Sequence, residues 1–190
     1  MTELRNFLEL PADLPVPVDD GACDHLPGMR LPSLALPASD GTLIDLSTLP
    51  GRSIVYVYPR TGRPDQPLPT GWDEIPGARG CTPQSCAYRD RAAELRALGA
   101  RVFGLSTQDT AYQQEAAARL HLPFPLLSDE RQELTTALSL PTFEVDGMTL
   151  IKRLTLIIND GAIETVFYPV FPPDADAGNV VAWLREHQIQ

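Results

Sequence analysis

The sequence predicts an α/β sandwich, a mixed β-sheet with helices packed against it. Three observations carry this. Runs of β-branched and aromatic residues, Ser53–Tyr58 above all, alternate with stretches of helical spacing. Turn signals at Ser39-Asp40-Gly41 and Asp160-Gly161 mark two hairpins flanking that alternation. Hydrophobic residues make up 43% of 190 positions, enough for a full core and too many for disorder. That length fits one domain, or one domain plus an extension.

Residues 1–30 read as an irregular N-terminal extension, because Pro11, Pro15, Pro17 and Pro27 break any long element. The domain proper is read from residue 31 to residue 190. Ser33–Leu36 and Thr42–Asp45 form the first hairpin. Ser53–Tyr58 is near-continuously apolar, as a central strand buried on both faces requires. Residues 60–80 read as a loop rich in Pro and Gly, a stiff cap in which Trp72 and Ile75 pack back onto the domain and narrow access. Helical spacing runs from Pro83 to Leu98 and stops at Gly99, a natural C-cap. A strand, Arg101–Ser106, and an Ala-rich helix, Thr110–Leu120, follow. Leu126-Leu127 reads as a short strand and Glu130–Leu138 as a helix. Lys152–Asn159 and Ala162–Tyr168 make the second hairpin, and Asp176–His187 the closing helix.

Composition narrows the function. A net charge of −10 leaves no basic face for phosphate, so nucleic acid is not an expected partner. No apolar run approaches the ~20 residues of a membrane span. Met1–Phe7 lacks a basic region followed by an apolar one, so no secretory leader is expected and a cytoplasmic, reducing setting follows. There, closely spaced cysteines serve catalysis or metal binding more often than structure.

Two of the three cysteines, Cys81 and Cys86, stand where a buried strand gives way to a helix. A helix N-terminus offers unpaired N–H groups and a positive dipole end, both of which favour the reactive thiolate. On a regular helix five residues mean roughly 140° of rotation and about 7.5 Å of rise. The two Cα atoms would then lie roughly 8–9 Å apart, beyond the reach of a disulfide. If these cysteines pair, the helix must partly unwind, which suits a bond that is made and broken in a cycle.

The run Cys81-Thr82-Pro83-Gln84-Ser85-Cys86-Ala87-Tyr88-Arg89-Asp90, after a strand ending in Tyr58-Pro59, resembles the peroxiredoxins. It is most similar to their bacterioferritin-comigratory or peroxiredoxin Q class. Val102–Ser106, Pro125–Asp129 and Arg153–Gly161 resemble further family segments in the family's order. The resemblance implies a thioredoxin-like fold and reduction of hydrogen peroxide or organic hydroperoxides. Cys81 would be the peroxidatic cysteine and Cys86 the resolving one, with a Cys81–Cys86 disulfide reduced by thioredoxin or a similar dithiol. Arg153 would stabilise the thiolate and polarise the peroxide. Gln84 fills the family's Glu/Gln position. No metal or organic cofactor is implied, and the class is often monomeric.

The chain departs from the family in one place. The pattern Pro-x-x-x-Thr-x-x-Cys sets six residues between Pro and Cys, whereas residues 60–80 separate Pro59 from Cys81 here. Ala78 stands three before Cys81 in place of the threonine, and Thr61 is the expected substitute. Two other readings use the same residues. One is a low-turnover redox sensor or thioredoxin-like binding module, which Ala78 favours. The other is a structural zinc site of Cys23, His25, Cys81 and Cys86, whose residue types suit zinc although the spacing is unusual. Otherwise Cys23 is a spare thiol, and His121 and His187 are surface residues.

Overall fold

The computed structural model describes residues 7–188, so the leader reading of the first six residues lies outside it. The first hairpin pairs β1 (Ala35–Pro37) with β2 (Leu43–Asp45) antiparallel. The central strand β3 (Arg52–Val57) is buried at all six positions. It runs parallel to β4 (Ala100–Ser106), which is parallel to β5 (Leu126–Ser128). On its other side lie β8 (Leu154–Asn159) and β9 (Ala162–Phe167), each antiparallel to its neighbour. The five-stranded sheet therefore has the order β5-β4-β3-β8-β9 and is mixed.

Period-two alternation divides the core. Val55, Val57, Phe103, Leu105, Leu156 and Ile158 face one side, Ile54, Tyr56, Val102 and Ile157 the other. The second side is covered by α1 (Cys81–Asp90), α2 (Ala92–Ala97), α3 (Thr110–Arg119) and α5 (Asp176–Glu186). Tyr88, Leu95, Ala116, Val180 and Leu184 are buried there. The first side is covered by Leu134 and Leu138, from α4 (Glu133–Ala137) and its end, and by Leu26, Leu31 and Leu36. The extension thus ends inside the core. Leu26 is fully buried, and Gly28, Met29 and Leu31 exchange backbone hydrogen bonds with Gly161 and Ile163 at the β8–β9 turn.

Three elements differ from the sequence reading. The helix expected over 83–98 is interrupted at Arg91, whose φ and ψ of −105° and 6° leave the helical region. Tyr88 and Leu95 stay in one core cluster across the break, so apolar spacing could not reveal it. The helix expected from Glu130 starts at Glu133. Gln132 is left-handed, and the Asp129 carboxylate accepts from the Leu134 and Thr135 N–H groups. A third hairpin, β6 (Thr142–Val145) with β7 (Met148–Ile151), was not anticipated. Its signal is Asp146-Gly147, both at positive φ.

Candidate active site

Cys81 opens α1 on the helix-covered side of the sheet and is 3% exposed. Gly80 before it takes φ +106°, and a Cβ there would meet Pro173 Cγ at 2.3 Å. Glycine is what lets the chain turn into the helix beneath Pro173. At the helix start the Cys81 and Thr82 N–H groups have no carbonyl one turn back, and Pro83 has no N–H to offer. The sulfur therefore sits where a developing negative charge meets backbone donors.

Arg153 lies in the short segment between β7 and β8 and is 3% exposed. Its Nη2 reaches Cys81 Sγ at 3.2 Å. The rest of the guanidinium organises the approach to the helix. Nε donates to the Gly77 carbonyl at 3.2 Å, and Nη2 to those of Ala78 and Arg79 at 3.0 and 3.2 Å. Nη1 donates to Gln84 Oε1. One side chain thus gathers three successive carbonyls, the sulfur and the glutamine.

Gln84 is fully buried, and its Nε2 donates to Asp176 Oδ2 at 2.8 Å. The same oxygen accepts from Tyr88 Oη at 2.8 Å and Thr155 Oγ1 at 2.7 Å. Burial pushes the Asp176 carboxyl up from its usual range, against these three donors. Asp176 belongs to the closing helix and was not found from sequence. No motif marks it, and only the packing of α5 on α1 brings it under Cys81.

Beneath α1, Tyr56 stacks on Tyr88 with ring centroids 4.5 Å apart and on Tyr58 at 5.7 Å. The Tyr56 hydroxyl donates to Ser85 Oγ at 3.1 Å, pinning the helix between the two cysteines. Cys86 is nearly buried one and a half turns on, and burial raises its thiol above the ordinary value despite Arg89 and Arg119. All three cysteines are free in this wound form.

Thr61 does not fill the role expected of it. Its hydroxyl donates to Gln108 Oε1 at 3.1 Å, and its carbonyl accepts from Tyr112 Oη at 2.9 Å. Both groups are spent on the α3 side of the loop. Ala78 instead gives its carbonyl to Arg153 and its N–H to the Ile75 carbonyl. The zinc reading gathers nothing either. Cys23 lies in the core on the far side of the sheet from Cys81, and His25 contacts the Leu138 carbonyl. Among the described residues no cluster of three or more ligating side chains forms.

Trp72 does pack back, against Phe143, Val145 and Leu150 of the β6–β7 hairpin. Ile75 lines a cavity of about 410 Å³ that reaches Arg153. Its walls are largely apolar, with Val16–Val18 on one flank and Phe143, Tyr168 and Val170 on others. Asp20 ties that flank down, accepting from Lys152 Nζ at 2.9 Å and from Tyr168 Oη at 2.8 Å.

A buried cysteine at a helix start, clamped by a buried arginine on a mixed sheet, can be set beside known proteins. The redoxin family matches residues 26–182 of this chain. The chain belongs to that family. Among its relatives, peroxiredoxin Q of rice chloroplasts (Oryza sativa subsp. japonica) is 32% identical over 160 residues. That match covers 83% of this chain and 66% of the rice protein. Peroxiredoxin Bcp of Escherichia coli K12 is 32% identical over 161 residues, 82% of this chain and 93% of that one. Among solved structures, peroxidoxin BcpB of Mycobacterium tuberculosis superposes with a TM-score of 0.67 at 27% identity. It covers 85% of this chain and 98% of its own. The thioredoxin-like fold of this redoxin is thereby shown, with the mixed sheet at its centre. No helix among the described residues is long and apolar enough to cross a membrane.

Proposed function

We propose that this redoxin is a thiol-dependent peroxidase, with Cys81 peroxidatic and Cys86 resolving. The single observation that carries the reading is the 3.2 Å contact between Arg153 and the Cys81 sulfur at a helix N-terminus. The Cys81 thiolate attacks the distal peroxide oxygen, the O–O bond breaks, and water or an alcohol leaves with a proton. Arg153 and the first-turn N–H groups stabilise the charge moving between sulfur and oxygens. Cys81 is left as a sulfenic acid. The Cys86 thiol condenses with it, expelling water and forming the disulfide. A dithiol such as thioredoxin then supplies two electrons by exchange.

The wound helix cannot close that disulfide, since its cysteines are roughly 8–9 Å apart at Cα. Unwinding must break the Tyr56–Ser85 and Gln84–Asp176 bonds. Residues 60–80 form a cap over the approach, and the 410 Å³ cavity beside Arg153 takes the organic part of the peroxide. A monomeric, cytoplasmic enzyme is part of the same proposal, resting on the cysteine usage and on the class it resembles.

Treating reduced protein with one equivalent of hydrogen peroxide tests this. Free thiols should fall from three to one within seconds, with Cys81 joined to Cys86 in the mass map. Persistence of all three would sink the peroxidase reading and favour a low-turnover sensor. A disulfide to Cys23 would show that the resolving residue is misassigned.

A further inference from the structure

We propose that Asp176 is a positioning residue for Cys81, and that its carboxylate is the reason residue 84 must be an amide. The buried chain of contacts runs Cys81 Sγ, Arg153, Gln84, Asp176. An amide is two-ended, with one oxygen that accepts and one NH2 that donates. Asp176 Oδ2 can only accept when ionised, so it draws the Gln84 NH2 towards itself. The Gln84 oxygen is then turned to Arg153, whose N–H groups can only donate. Flipping the amide would set NH2 against the guanidinium and oxygen against carboxylate, losing both bonds.

Tyr88 from α1 and Thr155 from β8 lock Asp176 from two further elements, each donating to the same oxygen. A carboxylate in place of the amide removes the Gln84 donor, leaves Asp176 only those of Tyr88 and Thr155, and has none of its own to offer. Glutamate at 84 would put two acids in contact at a fully buried site, where like charges repel strongly. Arg153 would be drawn towards that pair and away from the sulfur. The family position accepts either Glu or Gln by resemblance, and in this chain the closing helix decides which.

This role deepens the peroxidase reading and rests on it, so the test reads the thiol without peroxide. Alkylation of Cys81 by iodoacetamide at pH 7 is followed in the full-length chain, with Cys86 and Cys23 resolved by mass spectrometry. Thermal melts are recorded alongside. Gln84→Glu should slow Cys81 alkylation at least about tenfold, because the juxtaposed acids draw Arg153 away from the sulfur. Asp176→Asn alone should slow Cys81 alkylation less than Gln84→Glu does, since its amide oxygen can still accept from the same three donors but without the carboxylate charge. Adding Asp176→Asn to Gln84→Glu should recover most of the loss, in rate and in melting temperature. A merely structural Asp176 predicts that the two losses accumulate.

Two results overturn the proposal. One is a Gln84→Glu protein as reactive and stable as wild type. The other is a double variant that is no better than Gln84→Glu, unfolded protein included. If the pair rescues while wild type fails to consume peroxide, the positioning stands and the peroxidase assignment falls.

Discussion

Arg153 spends every face of its guanidinium within the site, on the sulfur, three carbonyls and Gln84. A lysine keeps the charge but cannot span those five acceptors from one planar fork. Arg153→Lys is expected to slow Cys81 oxidation by about a hundredfold, the effect of removing one charge-stabilising donor elsewhere. Stopped-flow fluorescence with hydrogen peroxide checks it. Cys23 is the opposite case. Burial, then the charges of Asp20, Asp19 and Asp24, push its thiol up to about 12. A thiol whose folded value lies above its unfolded one stabilises the fold below the unfolded value, about 9. That contribution is lost as pH rises through the window between 9 and 12. Native alkylation at pH 8 should therefore spare Cys23. Labelling of Cys23 at the rate of an unfolded control would refute its burial. The sequence already set Cys81 in a motif and left Cys23 a spare thiol, and the packing adds that they lie on opposite sides of the sheet.

At the scale of elements, α1 has two tasks that conflict. Wound, it holds Cys81 against Arg153; unwound, it would bring Cys86 to Cys81, as the proposed cycle requires. The Tyr56–Ser85 hydrogen bond favours the wound form, and such a bond contributes about 1 kcal/mol. Tyr56→Phe should accelerate disulfide formation about fivefold while leaving the first oxidation step unchanged. The two phases separate in rapid-quench mass spectrometry, and an unchanged second phase would show that Ser85 does not hold the helix. Gly80 sets the entry to the same helix. An alanine there combines left-handed strain of about 1–3 kcal/mol with a clash against Pro173. Gly80→Ala should lower the urea midpoint and Cys81 reactivity together. The Cys81–Cys86 spacing made the need to unwind legible in advance. The resisting contacts were not, because Tyr56 and Ser85 are far apart in sequence.

For the molecule as a whole, the extension, the 60–80 segment and the β6–β7 hairpin enclose the cavity that reaches Arg153. Trp72 is the fastening, 4% exposed against Phe143, Val145 and Leu150. Removing residues 62–76 outright would uncover that apolar cluster, so stability would fall with any change in selectivity. Ile75→Ala is the cleaner probe, because Ile75 lines the cavity and is only partly buried in the cluster. It should raise kcat/KM for a bulky hydroperoxide such as cumene hydroperoxide several-fold and leave hydrogen peroxide unchanged. Equal ratios for the two substrates would mean that the cavity takes no part in selection.

Local signals carried the strands other than β6 and β7, most helices, and the positions of the cysteine pair and Arg153. Alternation, caps and motif spacing are properties of neighbouring residues, and a single chain displays them. What the tertiary structure decided was partnership. It turned Thr61 towards Gln108 instead of the sulfur, placed Cys23 beyond reach of Cys81, and set Asp176 under Gln84. Those outcomes depend on which faces meet when α5 closes on α1 and when the loop after β3 folds against α3. A side chain's partner at that distance is fixed by burial and by the requirement that each buried polar group be satisfied, conditions that exist only once the core has formed.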